Sequence, residues 1–305
     1  EAGGAPGLGP GRGRGPRRLG WDGGRAAGER REGEWQVGVG VASATFANQH
    51  MVSFFARIAY SGGKYLVQLG AADIGTGART VLAQIAADAL GVHPDLVEAD
   101  IGRTGTPISW LAGGSAGTYE WGNGIVAAAR KFRRKHGEHP ADGATARAQG
   151  RPPKGADGFS RHAFGAQFAE VAVSAVTSEV RVRRLVGVYA AGTIINPLTA
   201  RSQIIGSMTM AMSGALHEES YRDPRFGHIV NGDLAGYHVA AHADTPDMDV
   251  EFLDEHDPWF GATGSKGLGE LAMVGTPAAI GNAVFNATGS RIRAMPFTPQ
   301  RLIDA

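Results

Sequence analysis

The chain has 305 residues, of which 43% are hydrophobic and 19% are charged, and its formal net charge is +1. This balance is typical of a globular protein with one large core or two moderate ones, and it excludes a chain that is disordered overall. Because the sequence contains no Cys, its own residues form no disulfide, thiolate zinc site or cysteine-ligated iron-sulfur cluster. No segment approaches the roughly 18 uncharged apolar residues that a membrane span needs, so we expect no membrane-spanning segment in this sequence. The compartment stays open between periplasm, reached with an exported partner, and cytoplasm.

Residues 1–33 form a Gly/Pro/Arg-rich segment with seven arginines against four acidic residues. The segment has no periodicity and few large apolar side chains, so ordering it would cost conformational entropy without burying surface. We therefore predict a disordered tail. An Arg/Gly tract can also bind RNA, and that alternative requires binding that weakens steeply with salt and is lost when the tail is removed. The disordered leader is the favoured interpretation, so no nucleic-acid partner is expected.

Residues 34–135 have the pattern of an α+β subdomain. The predicted elements are strands at 35–44, 52–60 and 64–69, a helix at 80–90, a strand at 96–101 and a helix at 124–135. The first helix has an apolar stripe at helical spacing and is followed by Gly91, a residue suited to the left-handed position after a helix. A polar, Pro-rich connection at 136–160 follows, and we predict that it links two subdomains.

Residues 161–305 form the second predicted subdomain. Its expected elements are strands at 166–174 and 180–189, a helix that begins after Asn196 and runs to Leu216, and a last helix at 277–288. Asn and Pro are favourable at a helix start, which supports the helix after Asn196. Strands and helices alternate irregularly along the chain. The sequence therefore predicts an α+β fold of layered mixed sheets with packed helices.

Three segments could contact a ligand, and each also has an ordinary structural interpretation. The loop 73–77 precedes a helix, where free backbone N–H groups and the helix dipole favour an anion, or it is a plain strand-to-helix turn. The loop 113–115 is either a turn or a second place where backbone touches a ligand. Ser202 and Gln203 lie on the first turns of a predicted helix, facing either a polar ligand or solvent. Residues 217–219 and the aspartates of 244–249 lack the spacing of known metal-binding motifs, so we predict no metal ligands.

The segment 264–270 reads Gly-Ser-Lys-Gly-Leu-Gly-Glu and leads directly into an apolar run. A carboxylate entering an apolar environment has a raised pKa, which makes Glu270 a usable general base near neutral pH. The spacing does not match a nucleotide-binding P-loop. Glu270 alone could equally be a residue that stabilises the start of a buried helix.

Four segments together resemble the molybdenum-cofactor-binding subunit of the xanthine dehydrogenase/aldehyde oxidase family, especially its bacterial periplasmic aldehyde oxidoreductase branch. They are the glycine loop 73–77, Phe-Gly-Ala-Gln-Phe-Ala-Glu-Val at 164–171, the run 192–203 that contains Asn-Pro, and the segment 264–270. The resemblance covers roughly residues 35–305 and implies the C-terminal part of a much longer subunit.

The resemblance implies an oxidation of an aldehyde to a carboxylic acid with water as the oxygen source, and Glu270 as the base at the molybdenum centre. It also implies a molybdenum-molybdopterin cytosine dinucleotide cofactor, and partner subunits that carry a [2Fe-2S] cluster and FAD. The residues expected to hold the cofactor are Gly75, Thr76, Gly77, Gly113, Gly114, Ser115, Ser202, Gln203, Lys266 and Gly267. An N-heterocycle such as a purine is the alternative substrate. A catalytically inactive fragment or interaction module is the alternative from another functional class.

Overall fold

The computed structural model describes residues 8–21, 26–48, 54–109 and 111–305. The strands in these residues are β1 (Arg31–Glu32), β2 (Trp35–Ala47), β3 (Phe54–Ser61), β4 (Lys64–Gln68), β5 (Val97–Asp100), β6 (Thr145–Gly150), β7 (His162–Ser174), β8 (Val180–Ala190) and β9 (Asp247–Phe252). The helices are α1 (Leu8–Leu19), α2 (Ala78–Leu90), α3 (Gly117–His136), α4 (Pro197–Leu216), α5 (Leu271–Thr288) and α6 (Pro299–Ile303). They form mixed sheets with packed helices, which confirms the predicted α+β class. Within the described ranges, no helix is long and apolar enough to cross a bilayer.

The larger sheet has five strands in the order β1-β2-β7-β8-β9, antiparallel except for the parallel pair β8 and β9. Successive side chains of a strand point to opposite faces. In β7, Phe168 accordingly packs on the face that α1 covers, while Ala169 and Val171 pack on the face that α4 and α5 cover. The main core of this half lies between the sheet and these last two helices.

Two glycines of β2 allow α5 to approach the sheet closely. A Cβ added at Gly38 would lie 2.2 Å from the Ala283 carbonyl oxygen, and one at Gly40 would lie 2.2 Å from the Ala279 carbonyl oxygen. Only glycine permits backbone contact at this distance. The packing of α5 on β2 determines where Glu270 stands, because Glu270 immediately precedes the helix.

The smaller sheet has the order β5-β4-β3-β6 and packs against α2 and α3. β6 lies within 136–160, so the segment predicted as a polar link between two subdomains contains a strand of the smaller sheet. The strand pairs antiparallel with β3 at an edge of the sheet, where its polar residues face solvent. Ala146, on the other face, is 4% exposed and belongs to the core beneath the helices.

The predicted division into 34–135 and 161–305 also differs from the structure. β2 precedes the proposed boundary, yet its 13 residues pair with β7, from Trp35 opposite Ser174 to Ala47 opposite His162. The larger sheet therefore joins segments from both sides of the proposed boundary. Composition along the chain could not show this pairing, because strand partners are selected by tertiary contacts.

The predicted disordered tail at 1–33 is wrong for α1 and β1, whereas 1–7 and 22–25 lie outside the described residues. At the end of α1, Leu19 is 7% exposed and packs against Phe168. Arg14 and Arg18 form ion pairs with Glu251, and Arg18 also pairs with Asp249. These contacts supply stabilisation that the composition of the segment does not indicate.

Two helices begin more than one turn earlier than predicted. α3 begins at Gly117 instead of 124, and α5 begins at Leu271 instead of 277. Pro277, the first residue of the predicted last helix, lies inside α5, and the fully buried Leu271 begins the helix before it. The helix after Asn196 is confirmed, since the Asn196 side chain accepts hydrogen bonds from the amides of Leu198 and Thr199. β9 was missed, although Asp247–Phe252 alternates acidic and apolar residues as a strand does.

Candidate functional site

A cavity of about 320 Å³ lies where the two sheets' helices meet. Residues of four segments line it, within 74–82, 112–121, 193–203 and 265–270. Each segment contains the start of a helix, namely of α2, α3, α4 and α5. A helix N-terminus has unpaired N–H groups and a partial positive charge. The starts of α2 and α4 already donate to Asp73 and Asn196, so the start of α3, which has no side-chain cap, is the one best suited to an anionic ligand.

The structure brings most of the predicted site residues to this cavity. Those that line it are Thr76, Gly113, Gly114, Ser115, Gln203, Lys266 and Glu270. Those that lie outside the lining are Gly75, Gly77, Ser202 and Gly267. Ser202 is solvent-exposed on α4, as the alternative of simple solvation predicted.

Asp73 occupies the backbone donors of the glycine loop. Its carboxylate accepts hydrogen bonds from the amides of Gly75 at 3.0 Å, Gly77 at 3.2 Å and Arg79 at 3.1 Å. Burial raises the pKa of Asp73, but these backbone hydrogen bonds together lower it below its ordinary value. The start of α2 therefore already has its own carboxylate, and Thr76 is the member of the predicted loop triplet that faces the cavity.

The start of α3 differs from that of α2. Its N-cap residue is Ala116, and no side chain caps the helix. The preceding Gly114 has a φ of 59°, and a Cβ added there would meet nothing within 4 Å. Gly117 and Thr118 line the cavity in the first turn, where amides have no intrahelical acceptor. Among the described helix starts, this one combines an absent side-chain cap with backbone that a ligand can approach.

Glu270 lies at the cavity and is hydrogen-bonded to Ser115. The Ser115 hydroxyl donates to Glu270 Oε2 at 2.7 Å and accepts from the Glu270 amide at 3.0 Å. The expected apolar environment of Glu270 is wrong for the described residues, because its side chain is exposed and burial begins with Leu271, which is 0% exposed. The carboxylate is instead held by hydrogen bonds at the mouth of the cavity.

The Lys266 side chain is buried, and its ammonium group forms an ionic cluster with two partly buried carboxylates. Its Nζ lies 2.8 Å from Glu255 Oε1 and 3.0 Å from Asp257 Oδ2, and the side chain is 3% exposed. Glu255 Oε2 accepts from the Gly192 amide at 2.8 Å. This cluster ties the loop that leads to Glu270 to the end of β8. Lys266 also lines the cavity, and because its ammonium group is engaged in this cluster, its stem and backbone are what it can offer a ligand there.

Asn48 is a site residue that the sequence analysis missed. It is 2% exposed, and its Oδ1 accepts from the Gly267 amide at 2.5 Å. A Cβ added at Gly267 would lie 2.4 Å from that oxygen. The sequence signal was only a polar residue at the end of a strand. No group of His, Cys, Asp and Glu that could hold a metal ion occurs in the part of the chain described.

Comparison with known proteins shows which proteins the chain is similar to. A family model described as a molybdopterin cofactor-binding domain matches residues 14–145 and 137–246. The aldehyde oxidoreductase molybdenum-binding subunit PaoC of Escherichia coli K12 is 40% identical over 94% of this chain and 43% of its own length. The xanthine dehydrogenase molybdenum-binding subunit of Escherichia coli O157:H7 is 37% identical over 47% of this chain and 19% of its own. The chain therefore spans less than half the length of these relatives.

Solved structures have the same fold. Quinoline 2-oxidoreductase from Pseudomonas putida 86 is 27% identical with a TM-score of 0.80, over 89% of this chain and 42% of that one. The aldehyde oxidoreductase from Desulfovibrio desulfuricans ATCC 27774 is 23% identical with a TM-score of 0.80, over 98% of this chain and 34% of that one. At that identity the second comparison supports the fold alone.

Proposed function

The chain belongs to the molybdopterin cofactor-binding domain family, and from this premise we propose that it is the cofactor-binding part of a molybdenum hydroxylase that oxidises an aldehyde to a carboxylic acid, with water as the oxygen source. The observation that carries the proposal is the cavity where four helix starts converge on a Gly/Ser loop with Glu270 beside it. Such a site has donors for an anionic pterin and a carboxylate for proton transfer.

The residues present fit a pterin cofactor. Backbone and small side chains form one wall at 112–117, where large side chains would fill the space. Gln203 and Thr118 offer an amide and a hydroxyl, which suit the polar edge of a pterin ring. Trp121 and Ile195 supply apolar surface in the same cavity. A mostly apolar cleft with a few directed polar groups is typical of cofactor sites.

In this proposal the start of α3 holds the anionic part of the cofactor. Its amides are uncapped by any side chain, whereas those before α2 donate to Asp73. Thr76, Gly113, Gly114, Ser115, Gln203 and Lys266, which line the cavity, keep their proposed cofactor-binding roles, through the backbone where the side chain is otherwise engaged. Gly75, Gly77 and Gly267 lie outside the cavity lining and are proposed to support it from behind, whereas the exposed Ser202 is assigned no contact with the cofactor.

Glu270 is the proposed general base. When bound, the molybdenum cofactor accepts the two electrons of the oxidation. Glu270 takes up the proton released at the cavity, because its carboxylate stands at the mouth and is held by Ser115. A positioned general base typically accelerates a reaction by about 10²- to 10⁴-fold.

The cytosine dinucleotide form of the cofactor, and partner subunits that carry a [2Fe-2S] cluster and FAD, are further parts of the proposal. The 305 residues contain no Cys, so any cysteine-ligated cluster that removes electrons must lie outside them. An aldehyde is favoured as substrate by the 40% identity to PaoC over 94% of the chain. The likeness to quinoline 2-oxidoreductase makes an N-heterocycle the second candidate.

The test uses the chain co-purified with its partner subunits. We expect bound molybdenum and pterin, and dye reduction that depends on aldehyde. Glu270→Gln should lower kcat about 10²- to 10⁴-fold with the molybdenum content unchanged. Faster turnover of quinoline or purine than of aldehydes would replace the substrate class.

The matched control is Glu138→Gln, an exposed residue just after the far end of α3. Its activity should equal that of the wild type, since it lies a whole helix length from the cavity. If the wild-type assembly contains no molybdenum, the enzyme proposal fails and the chain is a catalytically silent interaction module.

A further inference from the structure

Ser115 forms two hydrogen bonds with Glu270, one with its backbone and one with its side chain. Its hydroxyl accepts from the Glu270 amide and donates to the Glu270 carboxylate, at 3.0 Å and 2.7 Å. The two residues are 155 positions apart in the chain. Two hydrogen bonds to one residue define both the place and the direction of the carboxylate, which a single bond would leave free to rotate.

The backbone of Ser115 is in an unfavourable conformation. Its φ is 51°, in the left-handed region that residues other than Gly, Asn and Asp rarely adopt. Such strain persists only where the surroundings hold it, and it is concentrated at functional positions. Gly114, the neighbour, would adopt the same region without strain. The presence of a serine at this positive φ is explained if its hydroxyl is required there.

The segment before Glu270 is shaped around this hydroxyl. A Cβ added at Gly269 would lie 3.1 Å from Ser115 Oγ, and one at Gly267 would lie 2.6 Å from the Ser115 carbonyl oxygen. Both glycines therefore let the two segments touch. Close backbone approach and hydrogen bonds therefore connect the start of α3 with the start of α5.

A serine hydroxyl has one donor and two acceptor lone pairs. The donor and one lone pair of Ser115 are taken by Glu270. The side chain can thus offer a ligand only one acceptor position. Ser115 lines the cavity, so in the proposed function its contact with the cofactor is made mainly by its backbone.

We infer that Ser115 is the positioning residue of Glu270, which it aims at the reacting atoms, and that its side chain is not a principal ligand of the cofactor. This rests on the proposed function, in which Glu270 is the base. Misplacing a reacting group by about 1 Å can lower a rate by about 10²-fold. Removal of the hydroxyl should accordingly lower kcat by about 10- to 100-fold, with KM and molybdenum content unchanged.

The first arm of the experiment is a double-variant cycle in the purified assembly. Ser115→Ala and Ser115→Gly should show the same loss, because both lack the hydroxyl although only the second relieves the backbone strain. In a Glu270→Gln background, Ser115→Ala should cause no further decrease in kcat per bound molybdenum. Ser220→Ala, at an exposed serine beyond the other end of α4, should leave kcat unchanged.

The second arm is the crystal structure of the metal-free chain, which does not depend on activity. The Glu270 carboxylate should have a single orientation in the wild type and a different one in Ser115→Ala. Multiplicative losses in the double variant, a molybdenum loss that accounts for the whole rate change, or an unmoved carboxylate would each overturn the inference. A wild-type assembly without molybdenum would instead refute the proposed function, and the crystal structures would still decide whether Ser115 orients Glu270.

Discussion

A methyl group at Gly267 would collide with two fixed atoms, Asn48 Oδ1 at 2.4 Å and the Ser115 carbonyl oxygen at 2.6 Å. Neither atom can move freely, because Asn48 is buried and the second atom is backbone. At the residue scale, the site depends on such glycines, which allow the chain segments around Glu270 to touch. The loop that ends in Glu270 is therefore sensitive to the smallest possible side chain.

We predict that Gly267→Ala destabilises the fold by about 2 kcal/mol, the usual cost of overpacking, and reduces pterin binding. Urea unfolding and pterin content of the variant measure the two effects. The control is Gly206→Ala on α4, where an added Cβ meets nothing within 4 Å, and we expect a gain of up to about 1 kcal/mol there. Equal stability of the two variants would contradict the steric explanation.

At the scale of elements, α1 is held on the larger sheet by charge as well as by Leu19. Arg14 and Arg18 reach Glu251 on β9. Burial is the largest influence and raises the pKa of Glu251, but the hydrogen bonds and charges of the two arginines together lower it below its ordinary value of 4.5. The attachment of α1 is therefore linked to pH.

A lowered pKa in the folded state means that the stabilisation is fully present above the unfolded value and is lost as the pH falls through the folded one. We predict that Glu251→Gln lowers the stability by less than about 1 kcal/mol at pH 7. The difference in Tm between wild type and variant should shrink as the pH falls below the ordinary value of 4.5. Thermal unfolding at a series of pH values measures this, and a difference independent of pH would show that the ion pairs do not hold α1.

At the scale of the whole molecule, the two sheets differ in how they can fold. All four strands of the smaller sheet and the helices α2 and α3 lie within residues 54–160. The larger sheet needs β2 from the first part of the chain, which pairs with β7 and contacts α5. The cavity lies between helices of the smaller sheet, α2 and α3, and helices of the larger sheet, α4 and α5, so it forms only when both sheets are folded.

We predict that a fragment of residues 54–160 folds alone, with cooperative unfolding and dispersed NMR signals, because its core is contiguous in sequence. A fragment of residues 161–305 should not, since it leaves the β7 edge and the inner face of α5 uncovered. Adding residues 26–48 as a separate peptide should restore its cooperative unfolding. Independent folding of the 161–305 fragment would show that β2 is dispensable.

The amino-acid sequence by itself was enough to determine the α+β class, six of the strands with small errors at their ends, the helix after Asn196, and the segments that line the cavity. These features depend on local signals, such as alternation, apolar stripes and capping residues, which are written in contiguous stretches of chain. Family resemblance added the cofactor class, which the comparisons support.

Only the tertiary structure decided the rest, because it depends on contacts between distant residues. The pairing of β2 with β7, the docking of α1 and the strand in the expected linker all come from partners elsewhere in the chain. Likewise, Asp73 rather than a ligand accepts the amides before α2, and Ser115 meets Glu270 across 155 positions. Hydrogen-bond partners and exposure are set by the packed fold, so a one-dimensional pattern could nominate Glu270 but not show what holds it.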